Sequence, residues 1–238
     1  ITKAAEKPDK TGSKLFGIFI CVFYLIELYT VMELNKPLNF LKILPNKLNG
    51  FYYKKSKHSL KISNKSKSQK SFDPVTNFDR SFEKYIRATI EKRFPNDGII
   101  GEEFKDKKSK NYFSWSIDPI DGTKAFVIGV PTWSNLISLS FKGEPVFGLA
   151  NFPELNKYYI NDKKKSYVYK KKKKSVIRCS RNSNLTTAKI IGNFHGAQKE
   201  SIEKKFIKKF GLSLRLASFD ALNYCLLAEG KVDAVIES

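Results

Sequence analysis

The stretch Trp115–Phe126, WSIDPIDGTKAF, constrains the fold more than any other part of the chain. Asp118 and Asp121 stand three residues apart with Pro119 between them, a pattern that suits a stiffened turn bringing both carboxylates and the Ile120 carbonyl to one point. Hard oxygen donors of this kind suit Mg²⁺ rather than zinc. Gly122 lets the backbone approach a ligand closely, and the N–H groups of Gly122 and Thr123 would open a short helix, where an anion is favoured. A cation site beside an anion cradle is what phosphate chemistry needs, and two flanking stretches offer more acids for it. Gly101-Glu102-Glu103 follows an expected strand, and DPVTNFD supplies Asp73 and Asp79 just ahead of an expected helix. Singly, Glu102 and Glu103 read as solvated surface and Asp79 as a helix cap. With Asp118 and Asp121 they read as a multi-carboxylate metal site, able to polarise a phosphoryl oxygen and to generate hydroxide near neutral pH.

The 238 residues, 41% of them apolar, can fill one large core or two small ones, which excludes disordered and collagen-like classes. The net charge is +21, but only six of the 44 basic residues are arginine. A phosphate-backbone binder would use arginine forks as well, so lysine with abundant Asn, Ile and Phe reads as the imprint of AT-rich coding. The other reading is a positive field that attracts an anionic substrate. Lys163–Lys165 and Lys170–Lys174 flank Tyr167, Val168 and Tyr169; a single-strand binder pairs such charges with stacking aromatics, and a solvated hairpin carries the same pattern. Cys21, Cys179 and Cys225 are odd in number and far apart, so no disulfide framework or zinc motif follows, and a cytoplasmic setting is expected.

Leu15–Val31 is an apolar run with one charge, Glu27, near the lower length limit of a membrane span. No small-residue cleavage site follows it, and the only methionine is Met32. Residues 1–31 therefore read as upstream sequence and Met32 as the start of the domain; a membrane association is expected only if the run is native. Apolar spacing predicts a helix over Pro37–Tyr53, kinked or broken at Pro45, and a second over Ser81–Phe94. His58–Lys70 reads as a loop or edge strand. Strands are expected at Ile99–Ile100, Tyr112–Ile117, Leu136–Phe141, Pro145–Asn151, Lys157–Ile160, Tyr167–Tyr169, Val176–Cys179, Lys189–Asn193, Leu214–Leu216 and Val232–Glu237. Turns are expected at Gly143-Glu144 and Asn161–Lys165, and helices at Glu200–Phe210 and Ala221–Glu229. Strands in runs, then strands alternating with helices, indicate a layered α+β or α/β protein.

SFDPVTNFDRSFEKYIR, DGIIGEE and WSIDPIDGTKAF, in that order, resemble the inositol monophosphatase family of Mg²⁺-dependent, lithium-sensitive phosphomonoesterases. The resemblance covers about Leu38 to Ser238. It implies an α-β-α-β-α layered sandwich over residues 32–238, with an N-terminal α+β part to about 155 and a C-terminal α/β part, over about 156–238, that is incomplete. It also implies two or three Mg²⁺ ions per site, held first by Glu102, Asp118, the Ile120 carbonyl and Asp121. Thr123, hydrogen-bonded to Asp79, would orient and deprotonate the attacking water, and the Gly122 and Thr123 N–H groups would hold phosphate oxygens. Asp73 is structural on this reading. Ser218–Glu237 resembles the substrate-contacting helix and strand, with Asp220 in the pocket segment and Glu237 on the position that binds substrate hydroxyls. Family members carry a further metal-binding aspartate beyond the match to Glu237, so the chain reads as cut at Ser238.

Lys124-Ala125-Phe126 and Gly129-Val130-Pro131-Thr132-Trp133 resemble the histidinol-phosphate phosphatase branch, acting in histidine biosynthesis, and an acid at Asp220 suits a cationic amino alcohol. Asn223 fits the inositol branch equally, so inositol 1-phosphate or a range of sugar phosphates is the alternative. His195 reads as substrate contact or surface residue, and Trp133 as substrate contact or core. A silent relative that binds nucleic acid through its lysines is a third reading, opposed by the retained acids. The partners expected are therefore a small phosphomonoester and a second copy of the chain in a homodimer, without nucleic acid.

Overall fold

The computed structural model describes residues 34–57, 59–65, 74–193, 205, 214–216 and 218–237. The apolar run at 15–31, Met32, Asp73, His195 and nearly all of the helix expected at 200–210 lie outside them. The chain divides into two compact units, Ile1–Lys42 and Ile43–Ser238. In the first, the described residues 34–42 are helical. The second opens with helix α1, residues 43–55, so the break expected at Pro45 does not occur. Proline's φ is compatible with a helix; its missing N–H loses one bond, and full burial of Leu44 and Leu48 holds the segment in place.

A two-stranded antiparallel ribbon follows, β1 (Ile62–Asn64) with β2 (Pro74–Thr76), and leads into helix α2 (Asn77–Arg93). Thr76 caps α2: its hydroxyl accepts from the Phe78 and Asp79 amides while Asp79 reaches back to the Thr76 amide, a reciprocal capping box. The inner face of α2 buries Phe82, Ile86 and Ile90 completely, the product of apolar residues at helical spacing.

Seven strands form one sheet in the order β3 (Gly98–Gly101), β4 (Phe113–Asp121), β5 (Ser134–Phe141), β6 (Glu144–Phe152), β7 (Lys157–Asn161), β8 (Ser166–Lys170), β9 (Lys173–Ile177). Only β3 and β4 run parallel. Between β4 and β5 lies the short helix α3 (Thr123–Ile128). The β5–β6 turn is Lys142-Gly143, both at positive φ, a type I′ hairpin that leaves Glu144 in the strand rather than in the turn. Trp115 anchors β4, fully buried with its indole N–H donating to Asp97 at 2.8 Å. A three-stranded parallel sheet, β11 (Leu214–Leu216), β10 (Lys189–Asn193), β12 (Ala234–Glu237), and helix α4 (Ala221–Ala228) are further described elements of a mixed α+β architecture around a central mixed sheet. Among the described residues no helix is long and apolar enough to cross a membrane.

Strand β4 departs from regular pairing where the function is expected. Asp118 faces Leu136 on β5 and Asp121 faces Ser134, so three steps on one strand oppose two on the other: a β-bulge at Pro119-Ile120. Proline cannot donate to a ladder and sits well there. The Pro119 carbonyl accepts instead from Asn135 Nδ2 at 2.7 Å, and Asn151 Nδ2 donates to both Asn135 Oδ1 and Asn49 Oδ1 at 2.9 Å. Asn135 and Asn151 are wholly buried, so this relay from α1 through β6 and β5 to the bulge carries polar groups the core must satisfy. Replacing Asn135 by Leu leaves the Pro119 carbonyl without its partner and should cost about 1–3 kcal/mol in urea unfolding. A change below about 0.5 kcal/mol would mean the relay does not hold the bulge.

Candidate active site

In a regular strand, residues three apart point to opposite faces. The extra residue in β4 resets that alternation, and Asp118 and Asp121 share a face. The aspartate pair therefore lies on a bulged strand end, not in a proline turn, and the turn itself falls at Gly122. That glycine has φ 77° and ψ 43°, left-handed backbone that stops β4 and starts α3.

Asp121 Oδ2 accepts from Ser134 Oγ at 3.1 Å and from the Ala221 amide at the start of α4 at 3.0 Å. One aspartate thus joins the end of β4 to α4. Asp118 Oδ1 accepts from the Ile120 amide at 3.1 Å. Burial first, then the negative charges of Glu102, Asp121 and Asp79, push the Asp118 carboxyl up to about 7.

Glu102 and Glu103 reach the site through a residue the sequence analysis did not single out. Glu83, fully buried on α2, accepts from the Glu103 amide at 2.6 Å and the Phe104 amide at 3.3 Å, and is paired with Arg87 at 2.7 Å. Gly101 keeps β3 close to that carboxylate, since any Cβ there would collide with it. An acid between Phe82 and Ile86 on an otherwise apolar helix face, four residues ahead of an arginine, is the signal that marks it. The half-exposed Glu102 turns to Lys65 at 2.8 Å, and Lys65 also pairs with the nearly buried Glu103. Burial opposes the Lys65 charge, but these two acids outweigh it and raise its pKa.

Two expectations are corrected. Asp79 is not bonded to Thr123: its Oδ2 takes the Thr76 amide at 2.7 Å and the Thr76 hydroxyl at 2.6 Å. The capping threonine stands three residues away and supplies both donors, so Asp79 is the third residue of a capping box inside α2 and Thr76, not Asp79, is the cap. Burial raises the Asp79 carboxyl, with the Thr76 bonds pulling the other way. Thr123 donates its hydroxyl to the Ile120 carbonyl at 3.0 Å.

Asp220 comes beside the DGT turn. A Cβ on Gly122 would lie 2.8 Å from Asp220 Oδ2, and Asp220 itself holds a positive φ of 50° just before α4. Asn223, fully buried, ties that turn together by accepting from the Phe219 amide at 2.9 Å and donating to Ser218 Oγ at 2.6 Å. Glu237 ends β12, paired with Asn193 on β10. Trp133 is core: it is buried against the rings of Tyr52 and Phe126, both at 4.9 Å.

Among the described residues, no three carboxylate, imidazole or thiolate groups converge closely enough to hold a metal ion. The chemistry of the donor set fits one nonetheless. Glu102, Asp118 and Asp121 are hard oxygen donors whose mutual repulsion is written into the Asp118 shift, and a divalent cation is the group that relieves it. This gives a sign for stability in the presence of a chelator. An unfolded aspartate titrates near 3.9, so the folding penalty from Asp118 is absent below that pH, grows as pH rises and is complete above about 7. Asp118→Asn should therefore raise the unfolding temperature in EDTA by roughly 4 °C or more near pH 8, with the gain fading towards about pH 4. A lower or unchanged unfolding temperature at both pH values would contradict the crowding.

Residues 51–238 match the inositol monophosphatase family. A histidinol-phosphatase of Mycobacterium tuberculosis is 34% identical over 168 residues, 69% of this chain and 65% of that protein. A fructose-1,6-bisphosphatase/inositol-1-monophosphatase of Aquifex aeolicus is 30% identical over 178 residues, 72% of this chain and 65% of that protein. The chain thus spans about two thirds of the length of these relatives. A solved structure of a Thermotoga maritima IMPase superposes with a TM-score of 0.67 at 26% identity, covering 84% of this chain and 76% of that one. The family match covers well over half of the chain, and the chain belongs to the inositol monophosphatase family.

Proposed function

We propose that this protein is a Mg²⁺-dependent phosphomonoesterase whose substrate is histidinol phosphate. The observation that carries the substrate assignment is the Asp220 carboxylate set against Gly122: it puts a negative charge at the edge of the phosphate cradle, where a cationic amino alcohol gains a partner and a neutral polyol does not. The 34% identity to a histidinol-phosphatase supports the same reading.

On this reading Glu102, Asp118, Asp121 and the Ile120 carbonyl would hold two or three Mg²⁺ ions, whose chemistry there would be to draw charge from the phosphoryl oxygens, to acidify the water that attacks phosphorus and to neutralise the departing alkoxide. A carbonyl has two lone pairs, so Ile120 can keep the Thr123 hydroxyl while it serves as a ligand. That anchored hydroxyl leaves the Thr123 oxygen free to accept a hydrogen bond from the attacking water. The Gly122 and Thr123 amides, at the opening of α3, hold the phosphate oxygens. Asp79 adds negative field around Asp118 from its capping position and keeps the α2 end fixed. Asp220 takes the substrate ammonium, and Glu237 the polar end of the substrate. The reading places the enzyme in the cytoplasm as a homodimer, in keeping with free thiols at Cys179 and Cys225.

The test is phosphate release from histidinol phosphate and from inositol 1-phosphate, with and without Mg²⁺. Preference for histidinol phosphate supports the assignment; preference for inositol 1-phosphate keeps the metal chemistry and moves the protein to the broader branch, as the similarity to a fructose-1,6-bisphosphatase/inositol-1-monophosphatase allows. Asp121→Asn should lower kcat about a hundredfold or more, since it removes a charge from the ligand set without changing volume. Asp220→Asn should raise KM for histidinol phosphate by about tenfold and leave a neutral phosphate ester little affected. Equal losses on both substrates would assign Asp220 to the fold.

A further inference from the structure

The β8–β9 hairpin and the residues just past α4 border an open concave site. A cavity of about 620 Å³ has Val168, Ser175 and Ile177 for a floor, and its walls carry Lys157, Lys170, Lys171, Lys173, Arg178 and Lys231. Strand register explains the gathering: Lys157 pairs with Lys170 and Lys170 with Lys173, so three neighbouring strands send a lysine to the same face of the sheet. Lys171 adds a fourth from the turn, where Lys171 and Lys172 hold φ of 47° and 69°, a conformation that asparagine and glycine take more readily.

Among the described residues Glu229 is the one acid that lines the cavity, and it is already committed. It pairs with Lys157, whose side chain is nine-tenths buried, with Lys231 at 2.9 Å, and with the Tyr159 hydroxyl. Lys170, Lys171, Lys173 and Arg178 have no ion-pair partner among the described residues. Four uncompensated cations around one hollow repel each other and focus a positive potential into it.

We propose that this cavity binds an organic polyphosphate of nucleotide size. The volume lies in the range of small-ligand sites, several anionic oxygens are needed to satisfy four cations, and the apolar floor gives an organic moiety a surface to rest on. A single strand of RNA or DNA fits the features less well. The rings that could stack on bases lie on the other face of the hairpin and are occupied: Tyr158 stacks on Tyr169 at 4.5 Å, and Lys174 covers Tyr167 at 3.8 Å. The cationic walls stand apart from the carboxylate cluster, because Ala221 at the start of α4 bonds Asp121 while Glu229 lies past the other end, about 12 Å along the helix, although Ile177 borders both this cavity and the one lined by Glu102 and Asp118. It is therefore independent of the function proposed above.

The test is calorimetric titration of the whole chain with ATP and with inorganic tripolyphosphate, in EDTA so that metal-dependent binding is silent. The expected result is saturable one-to-one binding that weakens as salt is raised and loses about tenfold or more in Lys170→Glu/Lys173→Glu. It should survive Asp121→Asn and the charge-matched pair Lys54→Glu/Lys55→Glu on α1. Tighter binding of ATP than of tripolyphosphate supports the apolar floor as an organic subsite, and equal binding reduces the site to one for inorganic polyphosphate, overturning the organic assignment. Should the double variant lose its thermal transition, Lys171→Gln/Lys173→Gln carries the same comparison. No saturable binding, an equal loss in the α1 pair, or tighter binding of a single-stranded RNA longer than the cavity would each overturn the proposal.

Discussion

One extra residue in one strand organises the site. Without the bulge at Pro119-Ile120, Asp118 and Asp121 would project from opposite faces of β4, and no ion could touch both. With it they share a face, at the cost of a carbonyl that has left the ladder and two like charges brought together. The rest of the structure answers those two costs. The Asn135–Asn151–Asn49 relay takes up the carbonyl, and Ser134 and the first amide of α4 hold Asp121. The crowding of like charge surfaces as the raised Asp118 carboxyl.

The supporting residues are buried and mostly remote in sequence from the acids they place. Glu83 sits on the inner face of α2 and holds the chain at Glu103 and Phe104, which carries Glu102 with it. Asn223 fixes the Ser218–Asp220 turn, which brings a carboxylate to Gly122. Buried side chains tied to the backbone by hydrogen bonds are rigid, and rigidity is what a site of mutually repelling groups requires.

Much of this is legible in the residues themselves. The DPIDGT run announces its chemistry, and alternation in SNLISLSF or apolar spacing in FEKYIRATI places strands and helices within a few residues, because each element buries one face. Parity is not legible in the same way. Asp-Pro-Ile-Asp suits a proline turn as well as a bulge, and only the partner strand's register decides between them. Spacing puts Asp79 at a helix start, but it does not reveal that Thr76 is the cap, nor does it rank a local hydrogen bond above one to a distant threonine. Asn135 and Asn151 do leave a trace: each takes an inward position of its strand, Asn135 between Trp133 and Ile137 on the two-residue period, where an apolar residue belongs. What joins them to Asn49, about a hundred residues away, is tertiary pairing that no local pattern encodes.

The central claim is that the carboxylates gathered by the bulge form a cation site. Titration with Mn²⁺, followed by its electron paramagnetic resonance signal, tests it without reference to any substrate. The account predicts saturable binding that Mg²⁺ displaces and that Asp118→Asn greatly weakens. Absent binding, or binding as tight in Asp118→Asn as in the unaltered chain, would contradict it.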